Sequence, residues 1–340
     1  MSSWIAFAVC LLVSAAPSVG PSAPLVDFNA ERYMYRFRIA QMFEQEHFDQ
    51  LEAEAARLRK ERPRFASGTP KLYDFYAALD PYSKNVVSQG KQDEYVQRSA
   101  KWSGLAPKSY VARIALINSH IYRAWKARGD GFADSVSEEQ GRQFKSELSA
   151  AWTVAMDAER LDAVDAELFT LELTLCKGLG KARQEVDQVF QKGVKADVGF
   201  DQLYVEMANY LLPRWFGSGP ELHDFALRAA ELSKQELGDI MYARVAMTAM
   251  LVERQDFRTV YLFQWPRLKA ALEELNTRYP ASRRTLNFLC WFAWHYDDRA
   301  TAARTLAQLG PDWTTDSAEI WLKPQVLEQM RSWAAAAGSK

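Results

Sequence analysis

Cysteine and histidine are scarce in this sequence, with three cysteines and four histidines in 340 residues. Cys176 and Cys290 lie too far apart along the chain for the spacing of a metal site. No H-E-x-x-H motif, Walker loop or G-x-S-x-G elbow occurs, so we predict neither a metal nor a cofactor. Both thiols occur in apolar helical patterns and are interpreted as buried and unreactive, with a disulfide as the alternative in an oxidising compartment.

An excess of charge of either sign is missing, and so is an apolar run long enough to cross a bilayer as a helix. The formal net charge is −1, so no global field favours nucleic acid or an anionic membrane. The apolar run at residues 4–13 is far shorter than the ~20 residues of a membrane-spanning helix, and small residues follow it. We predict a signal peptide over 1–15, a disordered Pro/Ser-rich tether over 16–29, and export to the periplasm or beyond.

Sustained alternation of apolar and polar residues, the pattern of strands, is also absent, so no sheet is predicted. Apolar residues recur instead at steps of three and four, as in residues 110–125 and 143–158. Ser137 and Gln140 are spaced as in a capping box, and Asp298 has the position of a residue that opens a helix. The pattern predicts an all-α protein of roughly fourteen helices.

The regular succession of helices and short turns predicts helix hairpins stacked in sequence. Residues 48–58 have the small-residue face with which the second helix of a tetratricopeptide-like repeat packs on the next pair. We therefore predict a right-handed array of antiparallel helix hairpins, a tetratricopeptide-like solenoid, forming one elongated domain over 30–335. A strict repeat of the tetratricopeptide period is absent.

Residues 122–136 contain two glycines around an aspartate, which raises the question of a phosphate-binding loop. A Walker loop follows a strand and carries a lysine after its last glycine, whereas here a long amphipathic pattern comes first and Phe132 follows Gly131. We interpret the segment as a turn between two helices. Gly129 is predicted to end the first helix in a left-handed conformation, which glycine adopts at little cost.

Two motifs place tryptophan and arginine together at a predicted helix end. They are Trp-Lys-Ala-Arg-Gly at 125–129 and Leu-Leu-Pro-Arg-Trp at 211–215. With the segments at 109–116, 238–246 and 279–306, these motifs resemble a bacterial family known only as a domain of unknown function. The resemblance covers residues 43–309. It implies a helical, tetratricopeptide-like fold, and it brings no activity or cofactor with it.

Tryptophan and arginine dominate interaction hot spots, so we predict a binding site of Trp125, Arg128, Arg214 and Trp215. The competing interpretation is structural: Trp215 fills the gap at the Pro213 helix break, and Arg214 bonds exposed carbonyls. The predicted function is a non-catalytic exported module that binds a protein or peptide partner in a concave groove lined by aromatic residues and arginine. The alternative is an all-helical toroid, an enzyme or binding protein for saccharides, with stacking tryptophans and paired carboxylates.

Overall fold

The structure is a computed structural model that describes residues 24–83, 90–129, 136–161, 164–254 and 256–336. In these ranges helices and their connecting turns form the backbone, and the only β pairing is two isolated bridges, Val26 with Ser282 and Arg64 with Pro70. The predicted all-α class is confirmed for this part of the chain. The predicted signal peptide and the turn residues 130–135 lie outside the described ranges.

The described ranges contain sixteen helices, against roughly fourteen predicted from periodicity. Two of them, α3 and α15, have only seven residues and are shorter than the window in which periodicity can be read. The helices are α1 (Phe28–Glu44), α2 (Phe48–Glu61), α3 (Lys71–Ala77), α4 (Gln92–Leu105), α5 (Tyr110–Arg128), α6 (Glu138–Ala158), α7 (Ala166–Leu179), α8 (Arg183–Ala196), α9 (Asp201–Tyr210), α10 (Gly219–Leu237), α11 (Ile240–Val252), α12 (Trp265–Arg278), α13 (Arg283–His295), α14 (Arg299–Leu309), α15 (Thr315–Trp321) and α16 (Pro324–Ala335).

Local sequence signals place several of the helix ends. The Ser137 side chain accepts a hydrogen bond from the Gln140 N–H, and the Gln140 side chain accepts one from the Ser137 N–H. These two bonds form the predicted capping box. Asp298 caps α14 by accepting from the backbone N–H three residues ahead at 2.9 Å, as predicted. α5 ends at Arg128, and Gly129 follows with a φ of +74° and a ψ of 179°. The glycine stop is confirmed, but in the extended mirror region that glycine alone adopts freely rather than in the left-handed helical region.

The helices form two layers. Consecutive helices pack in pairs, such as α5 with α6 and α13 with α14. Odd-numbered helices also contact one another, as α7 contacts α9 and α9 contacts α11. α7 and α11 are buried on nearly all sides, whereas α8 and α12 bury a single apolar face. Because a helix that is apolar all round belongs in an interior, the odd-numbered helices form the inner layer and the even-numbered helices cover them.

The inner layer closes on itself where α1 meets α15. The Phe28 N–H donates to Asp316 Oδ2 at 2.8 Å, and the Val26 N–H donates to the Ala281 carbonyl at 2.8 Å. The Asp316 N–H donates in turn to Asp27 Oδ2, so each aspartate accepts from a first-turn N–H of the other's helix. An open solenoid keeps its ends apart, because each repeat contacts only its neighbours. The predicted elongated solenoid is therefore replaced by an array whose first and fifteenth helices are in contact.

The predicted boundary between tether and domain also shifts. α1 begins at Phe28, which is 4% exposed, and Asp27 supplies its N-cap by accepting from the Ala30 N–H at 3.0 Å. Val26 pairs with Ser282 immediately before this cap. The folded domain therefore starts before residue 30, because an apolar anchor and a capping aspartate follow directly on the Pro/Ser-rich stretch.

The described residues bear on two further expectations. Cys176 and Cys290 are both buried and not joined in a disulfide, which confirms the interpretation as two buried thiols. Burial raises the pKa of the Cys176 thiol to about 12, so the thiolate is not formed at neutral pH.

None of the described helices combines the length and the apolar character that crossing a bilayer requires.

Candidate functional site

A polar cavity lies among the inner-layer helices, beside the contact between α1 and α15. It has two chambers that share Arg32, Tyr73 and Glu319. The outer chamber, of about 740 Å³, is lined by Asn29, Arg32, Tyr33, Arg36, Tyr73, Ala77, Asp80, Tyr82, Ser83, Thr315 and Glu319. The inner chamber, of about 200 Å³, is lined by Phe28, Arg32, Thr69, Tyr73, Gln202, Val205, Arg244, Met247, Thr248, Leu251, Arg284 and Glu319. These volumes suit a small ligand or the end of a chain.

Two arginines on α1 line the outer chamber, and both pair with the same carboxylate. Arg32 and Arg36 are one helical turn apart, which places them on the same face of α1. Arg32 Nε donates to Asp74 Oδ1 at 2.6 Å, and Arg36 Nε donates to the same oxygen. Asp74 is fully buried on α3, and its Oδ2 has no hydrogen-bond partner among the described residues. One carboxylate thus fixes two guanidinium groups and leaves their outer N–H groups directed toward the cavity.

Two further arginines, Arg244 on α11 and Arg284 on α13, line the inner chamber. Arg244 Nη2 donates to the Ser67 carbonyl at 2.6 Å, and Arg284 pairs with Glu319. Burial lowers the pKa of the Arg244 guanidinium. The charge of a buried aspartate opposes this shift, and the charges of Arg64 and Arg284 add to it. The inner chamber is therefore an electropositive, poorly solvated space.

Two carboxyl groups of the outer chamber titrate in opposite directions. Burial raises the pKa of Asp80 to about 6, and the Tyr82 N–H and the Arg36 charge only partly oppose this shift. Burial also acts to raise the pKa of Glu319, but Arg284 and the Asn29 side-chain N–H outweigh it and lower that pKa below its usual range. No group of three or more His, Cys, Asp or Glu side chains in the described ranges could hold a metal ion.

Exposed apolar side chains continue from the lining of the outer chamber, which includes Tyr33 and Tyr82, along the surface of α1. Tyr33, Met34 and Phe37 are 40%, 64% and 39% exposed on α1, and the Tyr33 and Phe37 rings stack at 6.1 Å. Tyr82, 42% exposed, contributes a fourth apolar surface beside them. We call Tyr33, Met34, Phe37 and Tyr82 the α1 rim. The opposite face of α1 enters the core through Phe43 and its neighbours.

A second cleft, of about 450 Å³, lies where the basic end of α2 meets α8. Its arginines are engaged by carboxylates from distant elements. Arg59 Nε lies 3.0 Å from Asp165 Oδ2, and Arg62 pairs with both Asp197 and Glu236. We interpret this cleft as structural, since its ion pairs join helices that are far apart in the chain.

The first predicted pair, Trp125 and Arg128, lies at the C-terminal end of α5. Trp125 is partly buried and packs edge-on against Phe144 of α6, with ring centroids 5.0 Å apart. The Arg128 guanidinium lies 5.5 Å from the Trp125 ring, and its Nη1 donates to the Gly129 carbonyl at 3.3 Å. Neither residue lines the central cavity.

The second predicted pair, Arg214 and Trp215, lies on the turn after α9. Trp215 packs against the hydrophobic core, with the Lys177 Nζ 5.2 Å from its ring, and Arg214 is exposed. Lys177 is in the last turn of α7, and Phe144 lies 3.5 Å from the position of a Cβ on the adjacent Gly178. Both pairs thus flank the C-terminal end of α7, and neither lines the central cavity.

The two residues of the second pair should differ in their effect on stability. Trp215→Ala is expected to lower the free energy of unfolding by about 3 kcal/mol, because it removes a large packed side chain. Arg214→Ala should cost less than about 0.5 kcal/mol, since the side chain is exposed and the backbone N–H keeps its bond to Glu253. Urea unfolding of both variants measures this. Equal and small losses would mean that Trp215 is not a packing residue.

Sequence patterns did contain a signal for the central cavity. Arg244 is the single charged residue in the otherwise apolar helix α11, and a charged residue is seldom buried without a partner or a task. A lone charge within a helix that is apolar on all sides was thus the available indication of an internal polar site.

Comparison of the chain with protein-family models, curated proteins and solved structures gave no match in any of the three. The resemblance to a bacterial helical family stays a prediction. The functional argument therefore depends on the geometry of the cavity and of the α1 rim.

Proposed function

We propose that this chain is a non-catalytic binding module whose protein or peptide partner inserts a segment into the central cavity. The observation that carries the proposal is that the exposed apolar α1 rim is continuous, through Tyr33 and Tyr82, with the lining of a chamber that Arg32 and Arg36 also line. Aromatic and arginine side chains are the residue types that dominate binding energy at protein interfaces. Export to the periplasm or beyond stays part of the proposal and depends on the sequence of residues 4–13.

The cavity is better suited to a segment of a partner than to a flat surface. An outer chamber of about 740 Å³ admits a few residues of an extended chain, and the tyrosines Tyr33, Tyr73 and Tyr82 offer both apolar rings and hydroxyl groups to them. The arginines are held in place by Asp74 before any ligand arrives, so little side-chain freedom is lost on binding. The site therefore favours a partner that presents an apolar segment with negative charge.

An enzyme or binding protein for saccharides is the second candidate. It is favoured by the opposite pKa shifts of Asp80 and Glu319, which is the arrangement of a general acid and a base. However, Glu319 is held by Arg284, and Asp80 accepts from the Tyr82 N–H, so both carboxyl groups have structural partners. No tryptophan lines either chamber among the described residues, contrary to the stacking that this alternative predicted. Oligosaccharide hydrolysis that is abolished by Asp80→Asn would establish it.

Selection of random peptides with free C-termini, displayed as C-terminal phage fusions, tests the proposed function. Peptides enriched on the wild-type protein should bind the double variant Tyr33→Ser/Phe37→Ser about 30-fold more weakly or worse, since the loss of even one hot-spot contact of about 2 kcal/mol has that effect. Fluorescence polarisation with synthetic peptides measures the dissociation constants. The variant should keep the wild-type melting temperature within a few degrees, because both side chains are exposed.

Leu232→Ser is the matched control for this experiment. Leu232 is 43% exposed on α10 and lines neither chamber, so its loss should leave peptide affinity unchanged. Enrichment of no peptide, or equal binding to the double variant and the wild type, would exclude the α1 rim as a partner site.

A further inference from the structure

We propose that the inner chamber binds the carboxylate of an apolar residue at the C-terminus of a peptide. The rest of the peptide would occupy the outer chamber and the α1 rim. This inference rests on the proposed function and names the chemical group that such a partner presents. It follows from the wall charges, the fixed guanidinium of Arg244 and the shape of the chamber.

The wall of the inner chamber presents more positive than negative charge. Arg32, Arg244 and Arg284 line it, against the single lining carboxylate of Glu319. The aspartates that hold these arginines lie behind the wall, with side chains at most 2% exposed. Guanidinium groups fixed in this way can bind a carboxylate through two parallel N–H groups. A C-terminal carboxylate is the anion that every peptide carries.

Arg244 has a hydrogen-bond donor that the protein itself does not satisfy. Its side chain is 8% exposed, and its Nη2 donates to the Ser67 carbonyl. Its Nε lies 3.5 Å from Asp201 Oδ2 and has no hydrogen-bond partner among the described residues. The buried Nε faces Asp201 behind the wall, so an anion in the chamber would bind this guanidinium through its other N–H groups.

The remaining wall of the inner chamber is apolar. Phe28, Val205, Met247 and Leu251 face the same space as the arginines. A residue whose carboxylate is bound by arginine would place its own side chain against these four, which favours an aliphatic side chain. The volume of about 200 Å³ equals that of several water molecules at ~30 Å³ each. It suits the terminal residue of a peptide rather than a longer segment. Because Arg32, Tyr73 and Glu319 line both chambers, a residue bound in the inner chamber would lie next to the outer one.

Two small probes of equal shape test the carboxylate site without any peptide. Isovalerate is an aliphatic carboxylate, and isovaleramide is its neutral analogue. Calorimetric titration of the full chain should show saturable isovalerate binding, with isovaleramide about tenfold weaker or worse because it lacks the charge-assisted hydrogen bonds. Arg32→Gln should weaken isovalerate binding about tenfold, while Arg36 continues to neutralise Asp74 and preserves the fold.

Arg62→Gln is the matched control, since Arg62 belongs to the second cleft and also pairs with two carboxylates. It should bind isovalerate like the wild type. If Arg32→Gln does not fold, the comparison of the two probes on the wild type still decides the question. Equal affinity for isovalerate and isovaleramide would overturn the carboxylate site.

The peptide Ala-Ala-Leu and its C-terminal amide separate the sources of the carboxylate. Tighter binding of the free acid, lost in Arg32→Gln, supports a peptide C-terminus as the ligand. Binding of isovalerate without binding of either peptide would overturn this inference in favour of a small organic acid. Selected peptides that need the α1 rim but bind equally well as amides would overturn it and leave the proposed function standing.

Discussion

Replacing Asp316 by alanine is expected to lower the free energy of unfolding by about 3 kcal/mol. The fully buried carboxylate of Asp316 accepts from the Phe28 and Asn29 N–H groups at 2.8 and 3.3 Å and lies 3.8 Å from Arg284. Its removal leaves the Phe28 and Asn29 N–H groups without this acceptor and a buried guanidinium with one partner fewer. Urea unfolding monitored by circular dichroism measures the loss.

Asp312→Ala is the control for this substitution, since Asp312 is 72% exposed and its nearest ion-pair partner, Arg283, is 4.0 Å away. It should cost less than about 0.5 kcal/mol. Hydrogen exchange supplies a second measurement, because the amides of α1 should exchange faster in Asp316→Ala than in the wild type. Unchanged exchange in α1, or a loss below about 1 kcal/mol, would show that the contact between α1 and α15 does not stabilise the fold.

The second large effect concerns Glu172, a carboxyl group buried in α7. Glu172 is fully buried, and neither carboxyl oxygen has a hydrogen-bond partner among the described residues. Burial first, and the charge of Glu159 second, raise its pKa to about 8. A raised pKa means that the folded state holds this proton more tightly than the unfolded state does, so the stability it contributes is lost as the pH rises from about 4.5 to about 8.

Glu172→Gln should remove this part of the pH dependence. At about pH 9 the variant is expected to be more stable than the wild type by on the order of 3 kcal/mol, and at about pH 4 the two should be equal. Burial also raises the pKa values of Asp80 and Asp316 to about 6, so both residues lower stability as the pH rises. They do so in both proteins, and the difference in unfolding free energy between the two proteins therefore reports on Glu172.

Unfolding free energies measured across this pH range provide the comparison. Glu139→Gln is the control, since the Glu139 side chain is 65% exposed, and it should follow the wild type at each pH. Parallel stability curves for the wild type and Glu172→Gln would contradict a protonated, buried Glu172.

Helix positions were predictable because their signals are local. The capping box at Ser137, the aspartate cap of α14 and the glycine stop after α5 each depend on residues a few positions apart, and each lies where it was predicted, although Gly129 adopts a different backbone conformation. The short helices α3 and α15 were not predictable from periodicity, since seven residues make fewer than two full turns of helix.

The contact between the ends of the array could not be predicted in the same way. Asp27 and Asp316 each accept from first-turn N–H groups of the other's helix across almost the whole chain, and in the sequence each resembles an ordinary acidic residue at a helix start. The central cavity could not be predicted from local signals either. Arg32, Arg244 and Arg284 come from three separate helices, and only the closure of the inner layer brings them to one space.

Photo-crosslinking tests most directly whether the partner binds in the central cavity. Benzoylphenylalanine is introduced at Tyr82, on the α1 rim, or at Phe216, which is 47% exposed beside Trp215. Each protein is irradiated with the peptide enriched in the selection. We expect a covalent adduct at residue 82, competed by excess unlabelled peptide, and none at residue 216. An adduct at residue 216 with none at residue 82 would contradict the cavity and assign the partner site to the surface around Trp125, Arg128, Arg214 and Trp215.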